Sequence, residues 1–188
     1  CAGFGVQGQV DVDVLLRSLV PADGTQLTQL VSPPTVVRDV VAVSSFSNKF
    51  KSSSSVNGAI RGFDARTGEL RWSFDPLVRD AATGLTPTPQ QVGGANTWVP
   101  MSADSPRDLL FVPTAGPAPN YWGVHRPGNN DYANSIIALR GSTGEVVWHF
   151  QTLHHDVWDR DAGSTPILTD IDRDGRKIPA VIQLVKTG

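Results

Sequence analysis

The chain has 188 residues, 18% of them charged, and a formal net charge of −2. With 16 basic against 18 acidic residues it offers no basic surface to nucleic acid, and no run approaches the ~18 consecutive apolar residues of a membrane-spanning helix. Its single cysteine, Cys1, excludes an internal disulfide, while 18 glycines and 14 prolines supply the turns that many short strands need.

Residues 1–30 read as a lead-in from a preceding structural unit. The chain opens on Cys1 rather than Met; a mature bacterial lipoprotein also begins with cysteine, but an internal fragment of a longer protein is the expectation here. Strand grammar starts at Val31-Ser32-Pro33-Pro34, followed by a turn at Arg38-Asp39 and the apolar run 40–43. A polar, serine-rich insertion covers 44–58 and reads as a surface loop. A second hairpin follows, with strands at 59–63 and 70–74 around a turn at 64–68; runs of β-branched and aromatic residues between Gly, Asp and Pro clusters carry this reading.

After a linker at 77–96 the pattern returns. Thr97-Trp98-Val99-Pro100 leads to a turn at 104–108 and the run 109–112. A Pro-, Gly- and Asn-rich insertion at 113–134 follows, a length more often functional than neutral and read as a lid. The second hairpin comes next, with strands at 135–139 and 146–150 around a turn at 140–144. A third copy begins at Ser164-Thr165-Pro166, with Ile167-Leu168, a turn at 170–177 and the run 180–182, and reaches Lys186-Thr187-Gly188.

Two repeats tie these segments together. Pro34, Pro100 and Pro166 stand 66 residues apart, and Thr67-Gly68-Glu69-Leu70-Arg71-Trp72 returns as Thr143-Gly144-Glu145-Val146-Val147-Trp148. A fixed period marks units that bury their apolar faces only against their neighbours. Two hairpins make four antiparallel strands, the content of one β-propeller blade. The fold class is therefore all-β: a blade at 31–76, a second at 97–152, and at 153–188 a loop with the first hairpin of the next, about two and a half blades. A propeller ring needs roughly 4–8, so the remaining blades would belong to the parent chain. The alternative is an antiparallel sandwich whose hairpins are alike by chance.

The densest chemistry is His154-His155-Asp156-Val157-Trp158-Asp159-Arg160-Asp161, where the chain crosses between blades. Carboxylates, imidazoles and an indole within eight residues can supply a general base, a metal ligand or a shielded pocket, or simply cap turns in a solvated loop. Adjacent histidines suit neither one helix face nor one strand face, which argues against zinc. Asp170-Ile171-Asp172-Arg173-Asp174-Gly175 imitates a helix-loop-helix calcium site, but its twelfth position is Val181 rather than Glu, so it reads as a hairpin turn with Asp and Gly placed for positive φ.

The two Thr-Gly-Glu-x-x-Trp phrases resemble the tryptophan-docking repeat of pyrroloquinoline quinone-dependent dehydrogenases, which are eight-bladed propellers. Residues 60–70, His154-His155-Asp156-Val157-Trp158-Asp159 and Lys186-Thr187-Gly188 are most similar to the membrane-bound quinoprotein glucose dehydrogenases. The resemblance implies that Asp159 is the catalytic carboxylate, that Lys186 contacts the quinone's carbonyl oxygens, and that Trp98 is the indole on which the cofactor stacks. It also implies calcium, although here the chain departs from the family. Ser47 or Asn48 stands where the family has an acid, with Asn48 the credible ligand; Gly116-Pro117-Ala118-Pro119 replaces the second loop's Asn or Thr, with Asn120 next. The implied metal set is Asn48, Asn120 and Asp159.

The implied activity of the parent is oxidation of a sugar or alcohol by hydride transfer to the quinone, with electrons passed to a quinone or cytochrome in the periplasm and the inner membrane as its anchorage. The isolated stretch is expected to be inactive. The alternative is a non-catalytic propeller used as a binding or assembly scaffold, which has no reason to keep Trp98, Asp159 and Lys186 together.

Overall fold

The computed structural model describes residues 3–12, 30, 32–45, 58–77, 93–124 and 126–187. They form ten strands: β1 (Thr35–Val37), β2 (Val40–Ser44), β3 (Ile60–Asp64), β4 (Leu70–Phe74), β5 (Ser102–Asp104), β6 (Leu109–Pro113), β7 (Ser135–Arg140), β8 (Val146–Gln151), β9 (Ile167–Arg173) and β10 (Arg176–Ile182). The sheets run β1-β2-β3-β4, β5-β6-β7-β8 and β9-β10, every pairing antiparallel. Each four-stranded sheet is thus a meander of two hairpins.

The repeats extend to backbone detail. The β3–β4 ladder shifts register after Gly62, the partner of Trp72, and the β7–β8 ladder after Ala138, the partner of Trp148. Such a bulge twists the pair locally and re-aims side chains.

Successive sheets meet through β1, β5 and β9. Thr35 Oγ1 donates to the Met101 carbonyl at 3.4 Å, Ser32 Oγ to the Val99 carbonyl at 2.9 Å, and Ser102 Oγ to the Pro166 carbonyl at 2.5 Å. Thr35 and Met101 lie 66 positions apart, so the proline period is the spacing between stacked sheets. Between the first two sheets Val37, Val40, Ile60, Leu110, Ile137 and Leu139 are fully or nearly fully buried. Each side chain of this size buried there contributes roughly 1.5–3 kcal/mol, and non-directional burial of this kind is what each sheet lacks alone.

Trp72 fastens the same interface. It is buried, its Nε1–H donates to the Gly141 carbonyl at 2.9 Å, and its indole lies over Gly144, where an added Cβ would stand 2.7 Å from the ring. Residues 3–10 meet the first sheet's corresponding turn similarly. Gly5 N donates to the Thr67 carbonyl at 2.8 Å, and Val10 packs over Gly68.

One expectation changes. The third hairpin's turn is not the span 170–177: β9 runs to Arg173 and β10 resumes at Arg176, leaving Asp174 (φ 56°) and Gly175 (φ 73°) as a two-residue turn. Asp-Gly accepts positive φ at both positions, which matches the right-handed strand twist. The insertion after β6, read as a lid, is anchored by buried Ala115, Ala118, Asn120, Arg126, Ala133 and Asn134, while Tyr121, Trp122 and Val124 are exposed. Among the described residues no helix is long and apolar enough to cross a membrane.

Candidate functional site

The loop from β8 to β9 is shaped by Asp156. Its carboxylate accepts the backbone N–H of Trp158 at 2.8 Å and of Arg160 at 2.7 Å, together with the Asn134 side-chain amide at 2.8 Å. Its carbonyl accepts Arg126 Nη2 at 2.5 Å. Asp156 therefore does the turn-capping that an Asp at the start of a tight loop performs, and the chain swings through Asp159 at φ 58°. Asp tolerates this left-handed conformation better than most side chains.

Arg126 locks the insertion against that loop. It is fully buried, and its guanidinium donates to the carbonyls of Pro119, Asn120 and Asp156 and to Asn130 Oδ1. Burial pulls its pKa below the ordinary arginine value, opposed by the Asp156 charge. A guanidinium has five N–H donors, and meeting them with carbonyls makes its burial tolerable.

Three of the sequence-predicted residues arrive from separate segments and meet. Trp98, preceding β5, donates its Nε1–H to Asp161 Oδ2 at 3.2 Å. Lys186, following β10, donates from Nζ to the Asp159 carbonyl at 2.8 Å, and stands 3.4 Å from Asp159 Oδ2 and 3.4 Å from Asp161 Oδ2. Partial burial lowers the ammonium's pKa, but the charges of Asp161 and Asp159 outweigh it, so the net displacement is upward and Lys186 stays charged at neutral pH. Trp98 is 38% exposed, with its indole N–H turned to Asp161. Gly163 lies under its edge, an added Cβ there standing 3.2 Å from Cζ2.

Asn120 joins the same group through Nδ2, which donates to Asp159 Oδ1 at 2.8 Å. Its Oδ1 is buried without a hydrogen-bond partner. A buried amide oxygen costs free energy unless something meets it, and a neutral oxygen beside a carboxylate suits a hard cation that takes oxygen ligands. Asn120 and Asp159 thus supply two oxygens of the kind calcium takes, and among the described residues no group of three or more His, Cys, Asp or Glu gathers as a metal site. Asn48 and Ser47 lie outside the described residues. The two histidines turn elsewhere: His154 Nδ1 pairs with Gln151 Oε1 at 2.7 Å and His155 Nδ1 with the Gly128 carbonyl at 2.8 Å.

Sequence reasoning gave no role to Asp161, Asp156 or Arg126. The carboxylates stood inside the run 154–161, but nothing in their spacing separates the one that caps from those that face the site. Arg126 carried no signal, because its partners are backbone carbonyls and one side-chain amide.

The sequence profile of the PQQ family, described as "Glucose/ethanol/alcohol dehydrogenase, beta-propeller domain", matches residues 1–188. The chain is 36% identical over 193 residues to the quinoprotein glucose dehydrogenase of Escherichia coli (strain K12), an alignment covering 100% of this chain and 23% of that protein. To quinoprotein glucose dehydrogenase A of Acinetobacter calcoaceticus it is 38% identical over 192 residues, again covering 100% of this chain and 23% of the relative. Among solved structures, a quinohemoprotein alcohol dehydrogenase from Pseudomonas putida superposes with a TM-score of 0.74 at 26% identity, covering 89% of this chain and 26% of that one. The chain spans about a quarter of the length of the curated relatives it matches.

Proposed function

The chain belongs to the glucose/ethanol/alcohol dehydrogenase β-propeller family, and on that footing we propose that its parent protein is a quinoprotein dehydrogenase that oxidises a sugar or alcohol. The observation that carries this reading is the convergence of Trp98, Asp159 and Lys186, from three separate segments, through Asp161 and a shared ammonium.

Each residue has a chemical task. Asp159 accepts the proton of the substrate hydroxyl, as a carboxylate general base. Lys186 presents a fixed positive charge beside it, the kind of preorganised cation that stabilises developing negative charge. Trp98 offers an indole face to a flat aromatic ligand. Pyrroloquinoline quinone, when bound, supplies the hydride acceptor. Asn120 and Asp159 would hold calcium, with Asn48 as a further oxygen ligand. Electrons leave to a quinone or a cytochrome, and the setting is the periplasm.

The test is Asp159→Asn in the full-length protein supplied with pyrroloquinoline quinone and calcium. Asn also tolerates positive φ, so the substitution removes the base and leaves the turn. Dye reduction with an aldose or alcohol should fall by about 10²–10⁴-fold, the usual worth of a positioned general base. Unchanged turnover would sink the assignment.

A further inference from the structure

Asp161 stands two residues beyond Asp159 with its carboxylate turned to the same site. It is 3% exposed, and groups from three segments engage its oxygens. Oδ1 accepts the Gly116 backbone N–H at 2.7 Å; Oδ2 accepts the Trp98 indole N–H at 3.2 Å and stands 3.4 Å from Lys186 Nζ. A carboxylate this buried is stable only when its lone pairs are met, and bonds to an ionised acceptor are about twice as strong as neutral ones.

We propose that Asp161 is a positioning residue for the quinone site, fixing the rotation of the Trp98 ring and sharing the Lys186 ammonium with the Asp159 carboxylate. The inference rests on the reading of Trp98 and Lys186 as cofactor contacts. Nε1 lies away from the axis about which the indole turns, so a bond there sets the ring's angle. Gly163 beneath the ring edge leaves that bond as the polar restraint on an otherwise half-open side chain. The ammonium stands equally far, 3.4 Å, from Asp159 Oδ2 and Asp161 Oδ2. Without the second carboxylate the ammonium would pair with Asp159 alone instead of being divided between the two. Gly116 completes the arrangement: its N–H orients the carboxylate, and a Cβ there would crowd Asp156 Oδ2 at 3.0 Å.

An amide cannot replace Asp161. It has one oxygen for donors that now meet two, and its NH2 must face either the Gly116 N–H or the Trp98 N–H. The experiment uses the full-length protein, cofactor-free and labelled with 5-fluorotryptophan, the Trp98 resonance being assigned by its loss in Trp98→Phe. In Asp161→Asn the Trp98 resonance should shift while the other tryptophan resonances and the thermal midpoint hold. Titrated pyrroloquinoline quinone should bind about tenfold more weakly or worse, as losing a charge-assisted hydrogen bond predicts.

An unmoved Trp98 resonance overturns the proposal. So does a general shift of all resonances with a fallen midpoint, which marks a residue that only supports the fold. If Asp161→Asn does not fold, Trp98→Phe carries the test, since it deletes the indole donor and keeps an aromatic floor; unchanged quinone affinity there overturns the proposal. Trp98→Ala and Lys186→Ala, run alongside, separate the two levels. If neither weakens quinone binding, the reading of the site fails; if both do and Asp161→Asn does not, only the positioning role fails.

Discussion

Trp72 and Trp148 close the same six-residue phrase and end in different surroundings. Trp72 is 8% exposed, bonded to the Gly141 carbonyl and laid over Gly144 of the next sheet. Trp148 is 37% exposed and meets Phe111 of its own sheet, ring centroids 5.9 Å apart. Their hairpins share register, bulge position and turn, down to Gly68 N donating to the Asp64 carbonyl and Gly144 N to the Arg140 carbonyl. The phrase therefore specifies a hairpin, and the adjoining sheet decides whether its tryptophan is buried. The turn that receives Trp72 joins β7 to β8, whereas the sheet following Trp148 is described only as β9 and β10.

The largest expected effect breaks or keeps this contrast directly. Trp72→Ala should cost about 3–5 kcal/mol, the range for deleting a large buried aromatic, whereas Trp148→Ala in the same 188 residues should cost roughly 1 kcal/mol or less, as for partly exposed side chains. Urea unfolding of both variants gives the comparison, and equal losses would end it. In a longer protein that adds the next sheet's second hairpin, the Trp148→Ala loss should rise toward that of Trp72→Ala.

A smaller effect separates the two turn glycines. Both hold positive φ, 76° at Gly68 and 75° at Gly144, so either substitution by Ala costs about 1–2 kcal/mol for backbone alone. Gly144→Ala must also displace the Trp72 ring, bringing its loss to about 2–4 kcal/mol with overpacking included. At Gly68 the obstacle is the Val10 methyl, the far end of a side chain that can turn aside. Thermal midpoints should fall further for Gly144→Ala, and the same order should vanish in a Trp72→Ala background.

The smallest effect depends on pH. Asp64 is held below the ordinary 3.8 by the backbone N–H groups of Thr67 and Arg66 and then by the Arg71 guanidinium. A lowered folded pKa stabilises fully above the ordinary value and is lost as pH falls through the folded one. Arg140 occupies the equivalent place in the second sheet, where the Ser142 N–H is capped instead by Asp108 from the neighbouring hairpin at 3.1 Å. Asp64→Asn should therefore flatten the fall in thermal midpoint below about pH 4, while Arg140→Gln should leave it unchanged.

The hairpins were legible because their signals are local: β-branched runs at 40–43 and 109–112, and Thr-Gly turns whose glycines hold positive φ. The third turn was placed too widely because Asp170 and Asp172 read as turn residues. They are strand residues paired across the ladder with Pro179 and Lys177. Alternating charge on an exposed hairpin carries no apolar period, and the two-residue Asp174-Gly175 signal was the one to follow. Trp98, Asp159 and Lys186 were singled out by resemblance, and the fold brings them together. Asp161 was passed over because its partners, Gly116, Trp98 and Lys186, lie far from it along the chain.

The sequence by itself determined the unit: a 66-residue period, two hairpins per sheet and the glycines that allow each turn. It did so because strand alternation and turn conformation are decided within a few residues. Only the tertiary structure decided which tryptophan is buried, which carboxylate caps a turn and which faces the site, and that Arg126 is held among carbonyls. Those outcomes depend on groups brought together by packing, such as Gly141 on Trp72 and Asp156 on Arg126, and burial strengthens each such contact only after the sheets have stacked.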